Sequence, residues 1–142
     1  MNKILCATDG SHSAQKAVAH AVDLAKLADA ELTFIHVVMP TTDDVSHTHF
    51  WNSSMLKAAE EQIQMELHEA VETAHQRGLE PVFCTTVPGH NIAKAIIDYA
   101  ESNHHDYVVV GSVGRTGLSK VLLGSIAEQV ISKAHCPVTV VR

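Results

Sequence analysis

The sequence has few aromatic residues, few cysteines and no apolar run long enough to cross a membrane. Aromatic residues make up only 4% of the chain, which leaves little material for sandwiching a flavin ring. No stretch reaches the roughly 20 apolar residues that a membrane-spanning helix needs. The three cysteines, Cys6, Cys84 and Cys136, are odd in number and lack Cys-x-x-Cys spacing. Since all three lie in or beside predicted strands, we expect reduced core thiols in a cytoplasmic protein.

Positive charge is also scarce, because 10 lysines and arginines stand against 16 acidic residues, for a net charge of −6. This balance argues against a nucleic-acid partner. The N-terminus leads from Met1 straight into a short strand, and no signal peptide is indicated. The 142 residues, 46% of them hydrophobic, provide enough material for one globular domain over residues 1–142. We therefore expect a cytoplasmic protein without a membrane partner.

Strand and helix patterns alternate along the whole chain. Alternation of this kind predicts right-handed crossovers and a parallel sheet covered by helices on both faces, an α/β/α sandwich. A polar connection rich in His and Thr, residues 40–53, is the one long irregular segment. The predicted strands cover residues 3–8, 31–38, 81–87, 107–111 and 137–141, and the predicted helices cover residues 12–28, 54–77, 90–102 and 124–134.

A glycine-rich loop is predicted between the fourth strand and the last helix. It reads Gly111-Ser112-Val113-Gly114, then nine residues, then Gly124-Ser125. We expect Gly111 and Gly114 to take positive φ and to let a ligand approach the backbone. Gly124-Ser125 places free amides at a helix N-terminus, where an anion is favoured. The loop is neither a Walker A motif nor a Gly-x-Gly-x-x-Gly fingerprint, but it is suited to holding phosphates.

An acidic residue, Asp9, follows the first strand and precedes the helix that Ser11 is expected to cap. A carboxylate at this position can accept hydrogen bonds from ribose hydroxyls, although it could instead only hold the turn or cap the helix. The second strand ends in Val37-Val38-Met39-Pro40 with no acid, and these apolar residues suit the face of an adenine ring. These residue types suit a nucleoside, and the glycine-rich loop suits its phosphates.

These motifs together resemble the universal stress protein family, in particular its ATP-binding members. The resemblance rests on Ile4 to Ser11, Phe34 to Val37, the Gly-x2-Gly-x9-Gly-Ser loop and Cys136 to Val141. It implies a five-stranded parallel sheet in the order 3-2-1-4-5, a Rossmann-like fold of the adenine nucleotide alpha hydrolase type. It also implies a homodimer built through the C-terminal strand, residues 137–141. By the same resemblance, the nucleoside and phosphates bind at Ala7, Thr8, Asp9, Val37, Val110, Gly111, Gly114, Gly124, Ser125 and Ile126.

Two basic residues inside the loop, Arg115 and Lys120, could add charge beside the phosphates or could simply be solvated. The 11 histidines raise the question of a metal site. His47, His49, His104 and His105 have no Cys or acidic partner at familiar spacing, so we interpret them as solvated and predict no metal. His36 lies within a predicted inner strand, where a hydrogen-bonded core histidine is expected.

We therefore predict a universal stress protein that binds ATP, with or without Mg2+, as a switch or sensor ligand in the stress response, with an unknown protein partner. No Walker lysine or metal-holding acid can be identified, so hydrolysis should be slow or absent. A receiver domain is excluded because the third strand ends in Val87-Pro88-Gly89 without a phospho-acceptor acid. The alternatives that stay open are a nucleotide-free interaction protein of the same fold and a slow ATPase.

Overall fold

The computed structural model describes residues 1–39, 53–113 and 123–142, and it contains one five-stranded parallel sheet. The strands follow the order β3-β2-β1-β4-β5, with β1 in the centre. The predicted sheet, its strand order and its covering helices are thus confirmed. The elements in chain order are β1 (Lys3–Ala7), α1 (His12–Ala28), β2 (Glu31–Val38), α2 (Ser53–Gln76), β3 (Phe83–Pro88), α3 (Ile92–Ser102), β4 (Tyr107–Gly111), α4 (Ser125–Lys133) and β5 (Val138–Val141).

Two apolar clusters, one on each face of the sheet, form the core. Successive residues of a strand point to opposite faces, so Ile4 and Cys6 pack under α1 and α2, while Leu5 packs under α3 and α4. The inner strands read as nearly continuous apolar runs for this reason, as expected for a parallel sheet buried on both sides. In the described part of the chain, no helix has both the length and the apolar character required to span a bilayer.

Two predicted boundaries shift by two residues. The third strand begins at Phe83 rather than at residue 81, where Pro81 lacks the N–H that a strand ladder uses. The third helix begins at Ile92 rather than at residue 90, because the Asn91 side chain accepts a hydrogen bond from the Lys94 amide at 2.9 Å and caps it. Both shifts leave the order of elements unchanged.

The prediction of three core thiols is correct only for Cys6, which is fully buried. Burial raises the pKa of the Cys6 thiol to about 12. Cys84 is exposed because β3 is an edge strand, and Cys136 is half-buried before β5. Strand membership alone does not bury a side chain when the strand lies at the margin of the sheet.

The prediction that His105 is solvated is wrong. Only 3% of its surface is exposed, and its ring lies 5.7 Å from the ring of Tyr99. Burial lowers the pKa of His105, and the nearby positive charge of Lys3 acts in the same direction. Its neighbour His104 is exposed, as predicted, and has a left-handed backbone with φ of 60°. The two histidines therefore have opposite environments although they are adjacent in the sequence.

The strand order determines where the two predicted ligand loops meet. β1 and β4 are neighbours, and the helices that follow them, α1 and α4, cover opposite faces of the sheet. The loops after these strands therefore diverge and leave a crevice at the carboxyl edge of the sheet. In open α/β sheets, ligands bind at such a switch point.

Candidate functional site

A cleft of about 680 Å³ opens at the carboxyl edge of the sheet, beyond the ends of β1, β2 and β4. Every predicted site residue within the described part of the chain lines it, whereas Gly114 and Arg115, like Lys120, lie outside that part. A volume of this size lies within the range of small-molecule sites. The predicted residues in its wall are Ala7, Thr8, Asp9, Val37, Val110, Gly111, Gly124, Ser125 and Ile126.

The loop after β1 forms one wall through a tight turn. The Asp9 Oδ1 atom accepts a hydrogen bond from the Ser11 amide at 2.9 Å, and the Ser11 hydroxyl accepts one from the Ala14 amide at 3.1 Å. Gly10, between them, has a positive φ of 77°, a conformation that glycine adopts without strain. Asp9 therefore holds the turn, which was the simpler alternative, and the residue also lines the cleft.

A hydrogen bond between backbone groups joins the two described ends of the glycine-rich loop. The Gly124 amide donates to the Ser112 carbonyl at 2.7 Å, and the Ser112 amide donates to the Val141 carbonyl of β5 at 2.8 Å. Gly124 is the N-cap residue of α4 and provides no side-chain cap. The first amides of α4 therefore lie beside the cleft at the positive end of the helix dipole, where an anionic group is favoured.

The role predicted for Gly111 needs correction. Gly111 is not among the glycines with positive φ, and a Cβ built on it would lie 2.5 Å from the Ser13 Oγ atom and 2.9 Å from the Ser13 carbonyl carbon. The first turn of α1 thus packs directly on the end of β4. Glycine is required here for close approach of a helix, and the same approach brings α1 to the cleft.

An apolar surface faces these polar loops. It is formed by Val37 and Val38 at the end of β2, by Ile92 and Ile96 of α3, and by Ile126 of α4. Met39, at the mouth of the cleft, is 48% exposed. The arrangement combines an apolar surface with backbone amides and the Asp9 carboxylate, which suits a planar ring that carries hydroxyls and an anionic group.

Two titratable residues in the cleft wall, His36 and Glu66, were not predicted as site residues. The His36 Nδ1 atom lies 3.1 Å from the Thr8 carbonyl oxygen and 3.3 Å from Glu66 Oε2. Glu66 belongs to α2 and is only 4% exposed, and Gln62 donates to its Oε1 atom at 3.3 Å. His36 is hydrogen-bonded, as predicted, but it lines the cleft. Glu66 thus places a carboxyl group near the end of β2, although residues 37–40 at the end of that strand include no acid.

A signal for Glu66 was present in the sequence. Ile63, Leu67 and Ala70 form the apolar stripe of α2, and Glu66 lies within that stripe, three residues after Ile63 and four before Ala70. A carboxylate on the buried face of a helix is seldom tolerated without partners. Within the residues that the structure describes, no group of three or more His, Cys, Asp or Glu is arranged to hold a metal ion.

Comparison with known proteins agrees with this architecture. The universal stress protein family matches residues 1–142. Universal stress protein MJ0531 of Methanocaldococcus jannaschii is 38% identical, over 99% of this chain and 81% of its own. The solved structure of the hypothetical protein MJ0577 is 28% identical, has a TM-score of 0.82, and is matched over 99% of this chain and 94% of its own.

A second solved structure, of a universal stress protein in complex with cAMP, is 25% identical with a TM-score of 0.74. The match covers 99% of this chain and 96% of that chain. With its whole length matched by the family and its strand order and cleft formed as the motifs predict, this chain belongs to the universal stress protein family.

Proposed function

We propose that this protein binds ATP in the cleft and acts in the cytoplasm as a stress-response protein for which ATP is a switch or sensor ligand. The observation that carries the proposal is the convergence of two chemically different loops on one cleft. The loop after β1 presents the Asp9 carboxylate, and the loop after β4 ends at the uncapped N-terminus of α4. A nucleotide has hydroxyls for the first and phosphates for the second. The relative solved with cAMP supports an adenine nucleotide.

In this proposal the adenine ring packs on Val37 and the apolar surface around it. Ala7 and Thr8 flank the base and ribose, and Asp9 accepts hydrogen bonds from the ribose hydroxyls. The phosphates lie between Val110–Gly111 and Gly124–Ile126, with Gly114 and Arg115 completing the loop and Mg2+ accompanying the triphosphate. The Ser125 amide, in the first turn of α4, is suited to a phosphate because it has no intrahelical partner.

Calorimetric titration of ligand-free protein tests the proposal. We expect heat on addition of ATP with Mg2+, and weaker binding of AMP, because AMP lacks the outer phosphates that the α4 N-terminus attracts. Mass spectrometry of the ligand released on denaturation shows whether the purified protein was free of nucleotide beforehand. An absence of heat at millimolar ATP would contradict nucleotide binding. Equal affinities for AMP and ATP would contradict the phosphate contacts alone.

Hydrolysis is the second candidate function, and we expect it to be slow or absent. In the described part of the cleft wall no lysine or arginine is found, and the acids are Asp9 and Glu66. Fast phosphoryl transfer uses a cation and a metal-holding acid placed around the γ-phosphate. A steady-state rate above about 1 per second, ordinary for an enzyme, that disappears in Asp9→Ala would instead identify an ATPase.

We also propose a homodimer that forms through β5. β5 lies at one edge of the sheet and is half-buried over its whole length. An edge strand has a row of backbone donors and acceptors that can pair with another strand. A two-fold axis beside β5 would pair the strand with its own copy in a closed, self-complementary interface.

A further inference from the structure

A buried carboxylate and an imidazole lie behind the loop that carries Asp9. Glu66 is 4% exposed, and the His36 side chain is 13% exposed. They come from α2 and β2, whereas the two predicted ligand loops follow β1 and β4. Burying such groups costs free energy unless they make specific contacts. His36 contacts Thr8, and Glu66 packs against Gly10, so the pair reaches the β1 loop beside the cleft.

The contacts of His36 determine where its proton lies. Its Nδ1 atom is 3.1 Å from the Thr8 carbonyl oxygen, which can only accept, and 3.3 Å from Glu66 Oε2. Nδ1 must therefore carry a hydrogen, whether the ring is neutral or charged. The Thr8 carbonyl belongs to the peptide group that includes the Asp9 nitrogen. Since the Thr8 amide is also held, by the Ile35 carbonyl at 2.9 Å, β2 fixes Thr8 on both sides.

Glu66 packs against the same loop at Gly10, one residue after Asp9. A Cβ placed on Gly10 would lie 2.6 Å from Glu66 Oε1 and 2.7 Å from the carboxyl carbon. The carboxylate is thus packed against the turn, while its other oxygen faces His36. Thr8 and Gly10, the two neighbours of Asp9, are therefore both set in place from the α2 side of the sheet.

We propose that His36 and Glu66 are positioning residues that hold the Asp9 carboxylate at the ribose and so give the cleft its preference for a ribonucleotide over a sugar without hydroxyls. This inference rests on the proposed function, because it assumes that Asp9 meets the ribose of a bound nucleotide. The pair itself does not touch the ligand in this scheme. It acts through the peptide groups on either side of Asp9.

The test compares ATP with 2′,3′-dideoxy-ATP by calorimetry. We expect the wild-type protein to bind ATP at least about tenfold more tightly than the dideoxy ligand, since the dideoxy ligand lacks the hydroxyl that makes a charge-assisted hydrogen bond. In His36→Gln and in Glu66→Ala the ratio of the affinity for ATP to that for the dideoxy ligand should fall toward one, mainly because ATP binds more weakly. His36→Asn should keep most of the ratio, because the Asn amide nitrogen can occupy the place of Nδ1, whereas that of Gln extends toward Nε2.

Two controls match the chemistry of the substitutions. His20→Gln and Glu69→Ala make the same changes at exposed positions on α1 and α2 and should leave both affinities unchanged. Thermal unfolding of each variant shows that it is folded at the titration temperature. If one cleft variant fails to fold, the other still tests the pair, since His36 and Glu66 act on the same loop from different elements.

The outcomes separate the two proposals. A wild-type protein that binds neither ligand contradicts the proposed function and this inference with it. A wild-type protein that prefers ATP, together with folded His36→Gln and Glu66→Ala proteins that keep the same preference, overturns this inference alone. A parallel loss of both affinities would show a general effect on the fold and would also overturn it. If the preference for ATP falls as far in His36→Asn as in His36→Gln, the hydrogen bond donated by Nδ1 does not position the loop.

Discussion

At the scale of single residues, the Asp9 side chain closes a turn and is also the group that we propose for ribose binding. Its Oδ1 atom closes the turn by accepting from the Ser11 amide, and we propose that the carboxylate binds ribose hydroxyls. Replacing it therefore affects both the turn and the charge. A pair of substitutions can separate these effects, because Asn retains an oxygen for the turn but has no charge.

Asp9→Ala should weaken ATP binding by about 1.5–3 kcal/mol, roughly a tenfold to hundredfold rise in the dissociation constant. Asp9→Asn, which keeps the turn, should show an intermediate loss. Calorimetry on the two variants, each checked for folding by circular dichroism, gives the result. Unchanged affinity in both folded proteins would exclude the ribose contact, whereas a loss confined to Asp9→Ala would assign the effect to the turn.

His105 illustrates a second residue-scale effect, because its burial makes the stability of the fold depend on pH. Burial lowers the pKa of His105 below its ordinary value of 6.5 in the folded protein. The unfolded chain therefore takes up a proton at a higher pH than the folded one does. Stability is fully present above pH 6.5 and falls as the pH decreases from there toward the folded-state pKa.

We predict that the free energy of unfolding decreases less between pH 7.5 and pH 5.5 in His105→Phe than in the wild type. Phe keeps the ring contact with Tyr99 but cannot bind a proton. Urea titrations at the two pH values measure the difference, and His20→Gln, at an exposed position, is the control. Asp106, whose pKa is lowered by hydrogen bonds from Lys3 and Asn2, loses its contribution only below about pH 4. Identical pH dependence in the variant and the wild type would contradict the burial argument.

At the scale of elements, the contact between α1 and the end of β4 shapes the cleft. Ser13 is buried, and its hydroxyl lies 3.3 Å from the Val141 carbonyl and 3.4 Å from the Val113 amide. Gly111 permits this approach because it has no side chain. The first turn of α1, the end of β4 and the end of β5 are thus held together behind the proposed phosphate loop.

Gly111→Ala should destabilise the fold by about 1–3 kcal/mol, the usual cost of overpacking a closely packed site. The added methyl would lie 2.5 Å from the Ser13 hydroxyl. In a Ser13→Ala background the cost should be smaller, because one of the two closest atoms has been removed. Denaturant unfolding of the two single variants and the double variant measures this coupling. Strictly additive effects would show that the clash with Ser13 is not what requires glycine.

The elements themselves were largely predictable, and the exceptions have physical causes. The spacing of apolar residues located every strand and helix within about two residues. Burial of the sheet on both faces requires that spacing directly. The environments of Cys84, His105 and Glu66 depend instead on which strand lies at an edge and on how a helix lies across the sheet. Such features arise from contacts between residues far apart in the chain. The reason for Gly111 was missed in the same way, since the α1 backbone that requires it is about 100 residues away.

At the scale of the whole molecule, the open edge of β5 is the feature that bears on assembly. Val108 donates to the Pro137 carbonyl, and Ser112 donates to the Val141 carbonyl. In a parallel ladder the backbone groups of alternate residues face the same neighbour. Residues 137, 139 and 141 therefore pair with β4, while the N–H and C=O groups of Val138 and Val140 face away from it.

Val140→Pro should weaken the proposed dimer while leaving the β4–β5 ladder intact, because it removes a donor that faces outward. Thr139→Pro is the matched contrast, since it removes a donor to β4 and should destabilise the monomer itself. Light scattering at tens of micromolar protein, with and without ATP, reports the mass of each variant. A monomeric wild type under both conditions would contradict assembly through β5.

The central claim is that an adenine nucleotide occupies the cleft between the loops after β1 and β4. A crystal structure of the protein grown with ATP and Mg2+ tests it most directly. We predict adenine against Val37, ribose hydroxyls at hydrogen-bond distance from Asp9, and phosphates at the N-terminus of α4. A nucleotide bound elsewhere, or a cleft that holds no nucleotide in crystals saturated with ATP, would contradict the account.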